Sequence, residues 1–416
     1  MGNRVVVIGG GPAGLMAAGR AAQCGAQVLL IEKTPRLGNK LRMTGGGHGN
    51  VGHSGTPQEL EQHLGPAGDF LLPALCAFGT QELAAFFQNQ GLPLKAATDG
   101  RLYPATRNAH SVLTCLKAWC LAGGVGFRYR SQVHNLIAAS GAVSAVEVGD
   151  HALTAGAVVL ATGGASFPST GSTGDGYRLA QALGHAVIPP APGLVPLISA
   201  ADWIVSVAGV SLRDVGLVAS QKGRTLARTQ GDLLFTPKGL SGPAALNLSS
   251  HISRQFAGGA IDLAIDLLPG LLPEELAAQL TDTFVKSGAR QLITVLRQWL
   301  PSSLCHLVAR LAGVDPALRV AQIGAAQRRD MVALLKGLPV RLVGTEPLED
   351  AMVTCGGIAL DEIDALTMGS KRVRGLFFAG EVLDIAGDSG GYNLHAAWAT
   401  GHLAGESAAA YVREVV

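Results

Sequence analysis

The chain has 416 residues, 32 basic and 30 acidic side chains, 15% charged and 48% apolar positions. So apolar a chain offsets its ordering entropy and is not disordered, and a net charge of +2 gives no whole-chain sign of a polyanion binder. Glycine fills 56 positions, well above the ordinary share of about 7%, but in patches and not at every third place as collagen requires.

Val5-Val6-Val7-Ile8 is an apolar, β-branched run of the kind a strand buried on both sheet faces shows. Gly9-Gly10-Gly11-Pro12-Ala13-Gly14 follows at once and satisfies G-x-G-x-x-G. An alanine-rich helix over 15–24, a stop at Gly25, a second strand over 27–31 and Glu32 complete a βαβ unit. In a dinucleotide site Gly9 allows the tight turn, Gly11 lets backbone approach a pyrophosphate, and Gly14 lets helix meet strand. The helix N-terminus offers free N–H groups, and Glu32 stands where an acid binds ribose hydroxyls.

Farther along, Ala157 to Leu160 reads as a buried strand running into Thr162-Gly163-Gly164, and Leu376 to Ala379 as another running into Gly380-Glu381. Three strands entering glycine at their C-terminal ends mark the ligand crevice of an open α/β sheet. Between them, Pro189-Pro190-Ala191-Pro192-Gly193 is expected to be a linker. After it, 194–197, 203–210, 215–219 and 232–235 read as short strands. The pattern turns helical from Pro243 to Leu311, with helix starts at Pro273 and Pro301. The chain is expected to return to the first domain near Thr354-Cys355-Gly356-Gly357. The fold expected is α/β: a discontinuous Rossmann-like domain over 1–190 and 350–416, with an insert over 191–349. In that insert, strands occupy about 191–240 and 320–349, and the helical part 243–319.

Six cysteines, Cys24, Cys76, Cys115, Cys120, Cys305 and Cys355, form no C-x-x-C pair, which argues against a disulfide framework, a metal site and a redox-active dithiol. No apolar run reaches the roughly 18 residues of a membrane span. A cytoplasmic protein without metal or membrane anchor is expected; oligomeric state is not legible.

GGGPAG at 9–14, ATGG at 161–164 with the following STGSTGDGY, GDLLFTPKGLSGPAALNLS at 231–249, and GLFFAGEVLD with GGYNLHAAWATG near the end together resemble the BaiN/RdsA-like, or YhiN-type, family of FAD-dependent oxidoreductases. The resemblance spans essentially the whole chain. It implies FAD held in a glutathione-reductase-type domain, with the strands of the insert forming a small β-barrel beside its helical part. The implied cofactor residues are Gly9, Gly11, Pro12, Ala13, Gly14, Glu32, Lys33 and Lys40, Thr44 and Gly45 of an early loop, Thr162, Gly163 and Gly164, Gly380 and Glu381, and Gly391, Tyr392, Asn393 and Leu394. The last four begin a helix whose N-terminus faces the flavin ring, where reduced flavin carries negative charge. One departure is plain: many relatives continue the early loop as GGGRCN, whereas this chain has Gly45-Gly46-Gly47-His48-Gly49-Asn50.

Only one dinucleotide fingerprint is present, so NAD(P)H, the expected reductant, must use the substrate cleft. The resemblance implies reduction of a conjugated C=C next to a carbonyl, by hydride from flavin N5 to the β-carbon and protonation of the α-carbon. It also implies an alternative, reduction of uridine to dihydrouridine in ribosomal RNA, for which Lys33, Arg36, Lys40 and Arg42 and then Arg101, Arg107, Lys117, Arg128 and Arg130 are candidate cations. A flavin-binding sensor or oxidase is a further alternative. Candidate proton donors are His48, His53 and Tyr392. His395, beside the helix N-terminus, is expected to have a lowered pKa and to be weakened as a proton donor.

Overall fold

The computed structural model describes residues 4–414; the expected domain's outermost residues, 1–3 and 415–416, lie outside them. The chain divides into two compact units, one of residues 1–191 with 348–416 and the other of residues 192–347.

The first unit is built on a five-stranded parallel sheet. Strand β1 (Arg4–Ile8) is central, with β2 (Gln27–Ile31) and then Gly126–Arg128 on one side, and Ala157–Leu160 and then Leu376–Phe378 on the other. Every residue of Ala157–Leu160 is buried, as a strand covered on both faces requires. Register decides where the loops emerge: Ile8 lies opposite Ile31 and Leu160, and Leu160 opposite Phe378. The turns after these four strands therefore leave the sheet along one edge.

Helix α1 (Pro12–Gln23) crosses from β1 to β2, with Pro12 in its first turn and Gly11 as N-cap. It packs against the 23-residue C-terminal helix, Tyr392–Glu414, through a seam without side chains. A Cβ on Gly401 would lie 2.5 Å from the Ala13 carbonyl oxygen, and one on Gly405 2.3 Å from that of Ala17. Arg20 and Glu406 close the seam with a 2.8 Å ion pair.

The prolines at 189–192 do not form a linker. They lie within the strand Val187–Gly193, half of a two-stranded sheet with Val353–Ile358. Proline is tolerated there because a strand lacking neighbours on one side need not donate every N–H.

The second unit is a closed six-stranded barrel in the order Leu197–Ser199, Gly239–Ser241, Arg224–Thr236, Ser211–Gln221, Ile261–Asp266, Leu338–Thr345. Period-two burial fills it: Leu338, Val340 and Leu342 point inward while Pro339, Arg341 and Val343 face out. Three expectations need correction. Residues 203–210 contain a 3-10 turn, Ile204–Val207, and no strand. Ile261–Asp266, in the stretch read as helical, is a barrel strand whose Ile261, Leu263 and Ile265 alternate inward. Residues 325–336, read as barrel, form the helix Ala325–Lys336.

Candidate functional site

The three fingerprint glycines occupy three different environments. Gly9 has φ +105°, and a Cβ there would meet the Ala161 carbonyl oxygen at 2.4 Å. On Gly14 it would meet the Gly9 carbonyl oxygen at 1.9 Å, whereas on Gly11 it would meet nothing within 4 Å. The first and last are demanded by the protein's own packing, while Gly11 faces open space at the end of α1. There the first-turn amides of the helix have no intrahelical acceptor. A bare backbone, free donors and a positive dipole end make a cradle for a pyrophosphate.

Glu32 ends β2 beside this turn. Its carboxylate accepts from the Gly10 N–H at 2.7 Å and the Thr34 N–H at 2.8 Å, which fixes the side chain and leaves each oxygen a second lone pair for a ribose hydroxyl. Across the edge, Gly380 has φ +73° and a Cβ on it would come within 2.7 Å of the Ala13 Cβ. Its N–H donates to Thr400 Oγ1 at 3.0 Å. Gly164 is equally constrained, since a Cβ would lie 2.3 Å from Thr354 Oγ1. Gly163 has φ +73°, and Thr162 precedes it at the end of the buried strand. The residues present fit a dinucleotide cofactor.

Two of the four early cations, Lys33 and Lys40, are engaged within the protein. Lys33 donates to Asp175 at 2.7 Å, and Lys40 to Glu381 at 2.9 Å and Ser166 Oγ at 2.7 Å. Glu381 also accepts from the Thr354 N–H at 2.7 Å, so its carboxylate is absorbed by the protein. Thr44 donates to the Leu41 carbonyl, and Gly45, Gly46, Gly47 and Gly49 all have positive φ. His48, in this loop, is exposed.

A second cluster surrounds the start of the C-terminal helix. The Tyr392 ring packs against two imidazoles, His53 at 4.5 Å and 18° and His63 at 4.2 Å and 21°, whose own centroids are 6.4 Å apart. His53 Nδ1 lies 2.8 Å from the Ser54 carbonyl and Nε2 2.9 Å from that of Asp99. Carbonyls only accept, so both contacts are hydrogen bonds together only when both ring nitrogens carry protons. Gly100, at φ +82°, makes room for that ring. His63 Nδ1 pairs with Asp388 at 2.9 Å, and the Asp388 N–H donates to the His63 carbonyl at 2.8 Å. The Asn393 side chain braces the same loop, accepting from the Gly387 N–H at 2.8 Å and donating to its carbonyl at 2.9 Å.

Tyr392 is 6% exposed, and burial, with Asp388 nearby, pushes its phenol up to about 12. The hydroxyl has no hydrogen-bond partner among the described residues. His395, one turn on, is fully buried, and burial lowers it to about 4; it is a neutral imidazole. Among the described residues neither of its nitrogens has a well-formed hydrogen bond, although the Gly79 and His53 backbone opposes the lowering. Of the three candidate proton donors, the fold joins Tyr392 and His53, and no hydrogen bond, ion pair or ring contact among the described residues links His48 to either.

His63 and Asp388 had no signal in the sequence, because their pairing joins segments 325 residues apart. Arg101 was read only as one cation of a run. Among the described residues, no group of three or more His, Cys, Asp or Glu could hold a metal ion, and no single helix is long and apolar enough to cross a membrane.

The HI0933-like protein Rossmann domain family matches residues 3–407. The chain is 31% identical to the 3-dehydro-bile acid delta(4,6)-reductase of Clostridium scindens over 98% of this chain and 99% of that one. It is 30% identical to the ribosomal RNA dihydrouridine synthase of Escherichia coli over 95% of each. Among solved structures, the 3-ketosteroid delta1-dehydrogenase of Sterolibacterium denitrificans shares the fold with a TM-score of 0.56 at 15% identity, over 98% of this chain and 100% of that one.

Proposed function

The chain belongs to the HI0933-like Rossmann family, and from that premise we propose that it is an FAD-dependent reductase of a C=C bond conjugated to a carbonyl, with NADH or NADPH as reductant. The carrying observation is the arrangement along one helix. Gly401 seats the C-terminal helix on Ala13 of the dinucleotide turn, and Tyr392, nine residues and about 13 Å back along the axis, opens that helix with an unpartnered hydroxyl. A flavin dinucleotide held at the turn would supply two-electron hydride chemistry.

The protein's residues do the rest. Gly9, Gly11 and Gly14 shape the turn with Pro12 and Ala13, Glu32 binds ribose, and Thr162, Gly163, Gly164 and Gly380 line the crossing of the sheet edge. Lys40 and Glu381 hold that crossing through their ion pair, as Lys33 holds the Asp175 helix, while Thr44 and Gly45 shape the early loop. The N–H groups at Gly391, Tyr392, Asn393 and Leu394 face developing negative charge. Tyr392 stays protonated at neutral pH and delivers its proton to the substrate α-carbon. His53 and His63 fix the ring plane. His48 is the weaker donor candidate because nothing positions its side chain.

A uracil ring presents the same ene-carbonyl unit, and the full-length likeness to two ribosomal RNA dihydrouridine synthases supports uridine as the alternative substrate. The purified protein should show a flavin absorption spectrum, bleach anaerobically with NADH or NADPH, and recolour on adding a steroid 4,6-dien-3-one or unmodified ribosomal RNA. Recolouring by neither rejects the reductase; steady oxygen consumption with NADH or NADPH then favours an oxidase, and absence of all turnover a sensor.

A further inference from the structure

Reduction of an ene-carbonyl needs more than a proton. As hydride adds to the β-carbon, the C=C electron pair moves toward the α-carbon and the carbonyl, and the oxygen becomes an enolate oxygen. A positioned cation or donor at that oxygen contributes strongly. Arg101 has the geometry for it. Its strand, Arg101–Pro104, pairs antiparallel with Gly52–His53 so that Arg101 lies directly opposite His53, and opposed residues share a face of the sheet. His53 stacks on Tyr392, which sets the guanidinium on the side where the phenol packs. Gly390 marks the convergence: a Cβ there would lie 3.3 Å from Tyr392 Cε2 and 3.8 Å from Arg101 Nε.

The guanidinium is also available. Among the described residues its one ion pair is with Asp99, 3.5 Å from Nε, and the two terminal nitrogens have no partner. The side chain is 34% exposed. Arg101 thus offers a planar two-pronged donor beside an unpartnered phenol hydroxyl, a pair that suits one anionic oxygen.

We propose that Arg101 is the oxyanion-binding residue of this site, holding the substrate's carbonyl oxygen as it becomes an enolate oxygen while the Tyr392 hydroxyl faces the α-carbon. The proposal rests on the reductase reading and deepens it by assigning the substrate's charged end. The electron pair left on the enolate takes the Tyr392 proton at the α-carbon, the carbonyl re-forms, and the phenolate is reprotonated from solvent.

The test uses a non-reacting mimic of the enolate. Isothermal titration of the holoprotein with para-nitrophenolate should give binding that weakens at least tenfold in Arg101→Ala and less in Arg101→Lys, at unchanged flavin content. The uncharged para-nitroanisole should bind all three proteins equally weakly. Equal para-nitrophenolate affinity in wild type and Arg101→Ala, a parallel loss for para-nitroanisole, or no binding by the wild type overturns the assignment. Failure of the reductase reading looks different: Arg101-dependent phenolate binding in a protein that never passes electrons to an enone keeps the anion site and removes the reaction.

Discussion

Two glycine substitutions three residues apart in the same turn should have opposite signatures. At Gly14 a methyl would lie 1.9 Å from the Gly9 carbonyl oxygen, so α1 must retreat by more than an ångström or the turn must open. Overpacking of that kind costs about 1–3 kcal/mol, and at roughly 2–4 °C per kcal/mol for a large domain Gly14→Ala should lower the melting temperature of the flavin-free protein by about 2–12 °C. At Gly11 the backbone sits at φ −81° and ψ −174°, which any residue adopts, and the added methyl meets nothing within 4 Å. Losing an N-cap glycine costs a few tenths to about 1 kcal/mol, and the stiffer unfolded chain returns about 0.4–1 kcal/mol. Gly11→Ala should therefore melt within about 2 °C of wild type when stripped of flavin. Its methyl nevertheless projects where a pyrophosphate must lie, and a misfit of about 1–3 kcal/mol is a loss of about 5- to 150-fold in affinity. Circular dichroism melts of stripped protein and flavin-fluorescence refilling titrations measure the two quantities separately. Normal refilling of Gly11→Ala would show that no phosphate passes over Gly11, and an unshifted melt for Gly14→Ala would remove the close helix-to-strand contact.

Acid should destabilise the protein through one buried and one half-buried histidine. His395 and His402 are each lowered to about 4, mainly by burial, so the folded state resists a proton that the unfolded chain accepts near pH 6.5. Stability is full above that pH and falls as pH drops toward 4, by about 3 kcal/mol per histidine; urea midpoints at pH 7 and pH 4.5 should differ, and less so in His402→Leu. Breaking the half-buried Lys40–Glu381 pair from one side, as Lys40→Met or Glu381→Gln, should cost about 1–3 kcal/mol. The double variant should cost less than the sum, and strict additivity in a double-mutant cycle would deny the coupling. Gly405→Leu should lower the melting temperature, because its Cβ begins 2.3 Å from the Ala17 carbonyl oxygen; an unchanged melt would mean the two helices are not held that close.

The parts of the molecule legible in the sequence are those whose signal is local. The fingerprint turn, Glu32, and the strands at 157–160 and 376–378 each carry an apolar run and a glycine within a few residues. The prolines at 189–192 misled because a proline's local preference does not reveal that its strand has a free edge. The strand at 261–266 was masked by two aspartates, which are tolerated because they alternate outward. The stack of His53, Tyr392 and His63 was half visible: two members sat in glycine-rich loops, and the third was brought in by the turn after the short helix Pro57–Gln62.

The seam between α1 and the C-terminal helix also has a consequence in time. Arg20 and Glu406 meet across 386 residues of sequence, Gly380 and Gly401 both abut Ala13, and the sheet's edge strand is residues 376–378. Synthesis adds about 5–20 residues per second, so the G-x-G-x-x-G turn is made well before the partners that press it into shape. The turn should gain its packed form only once the chain through Glu406 has been made, and a fragment that stops short of residue 376 should carry the full fingerprint without that form.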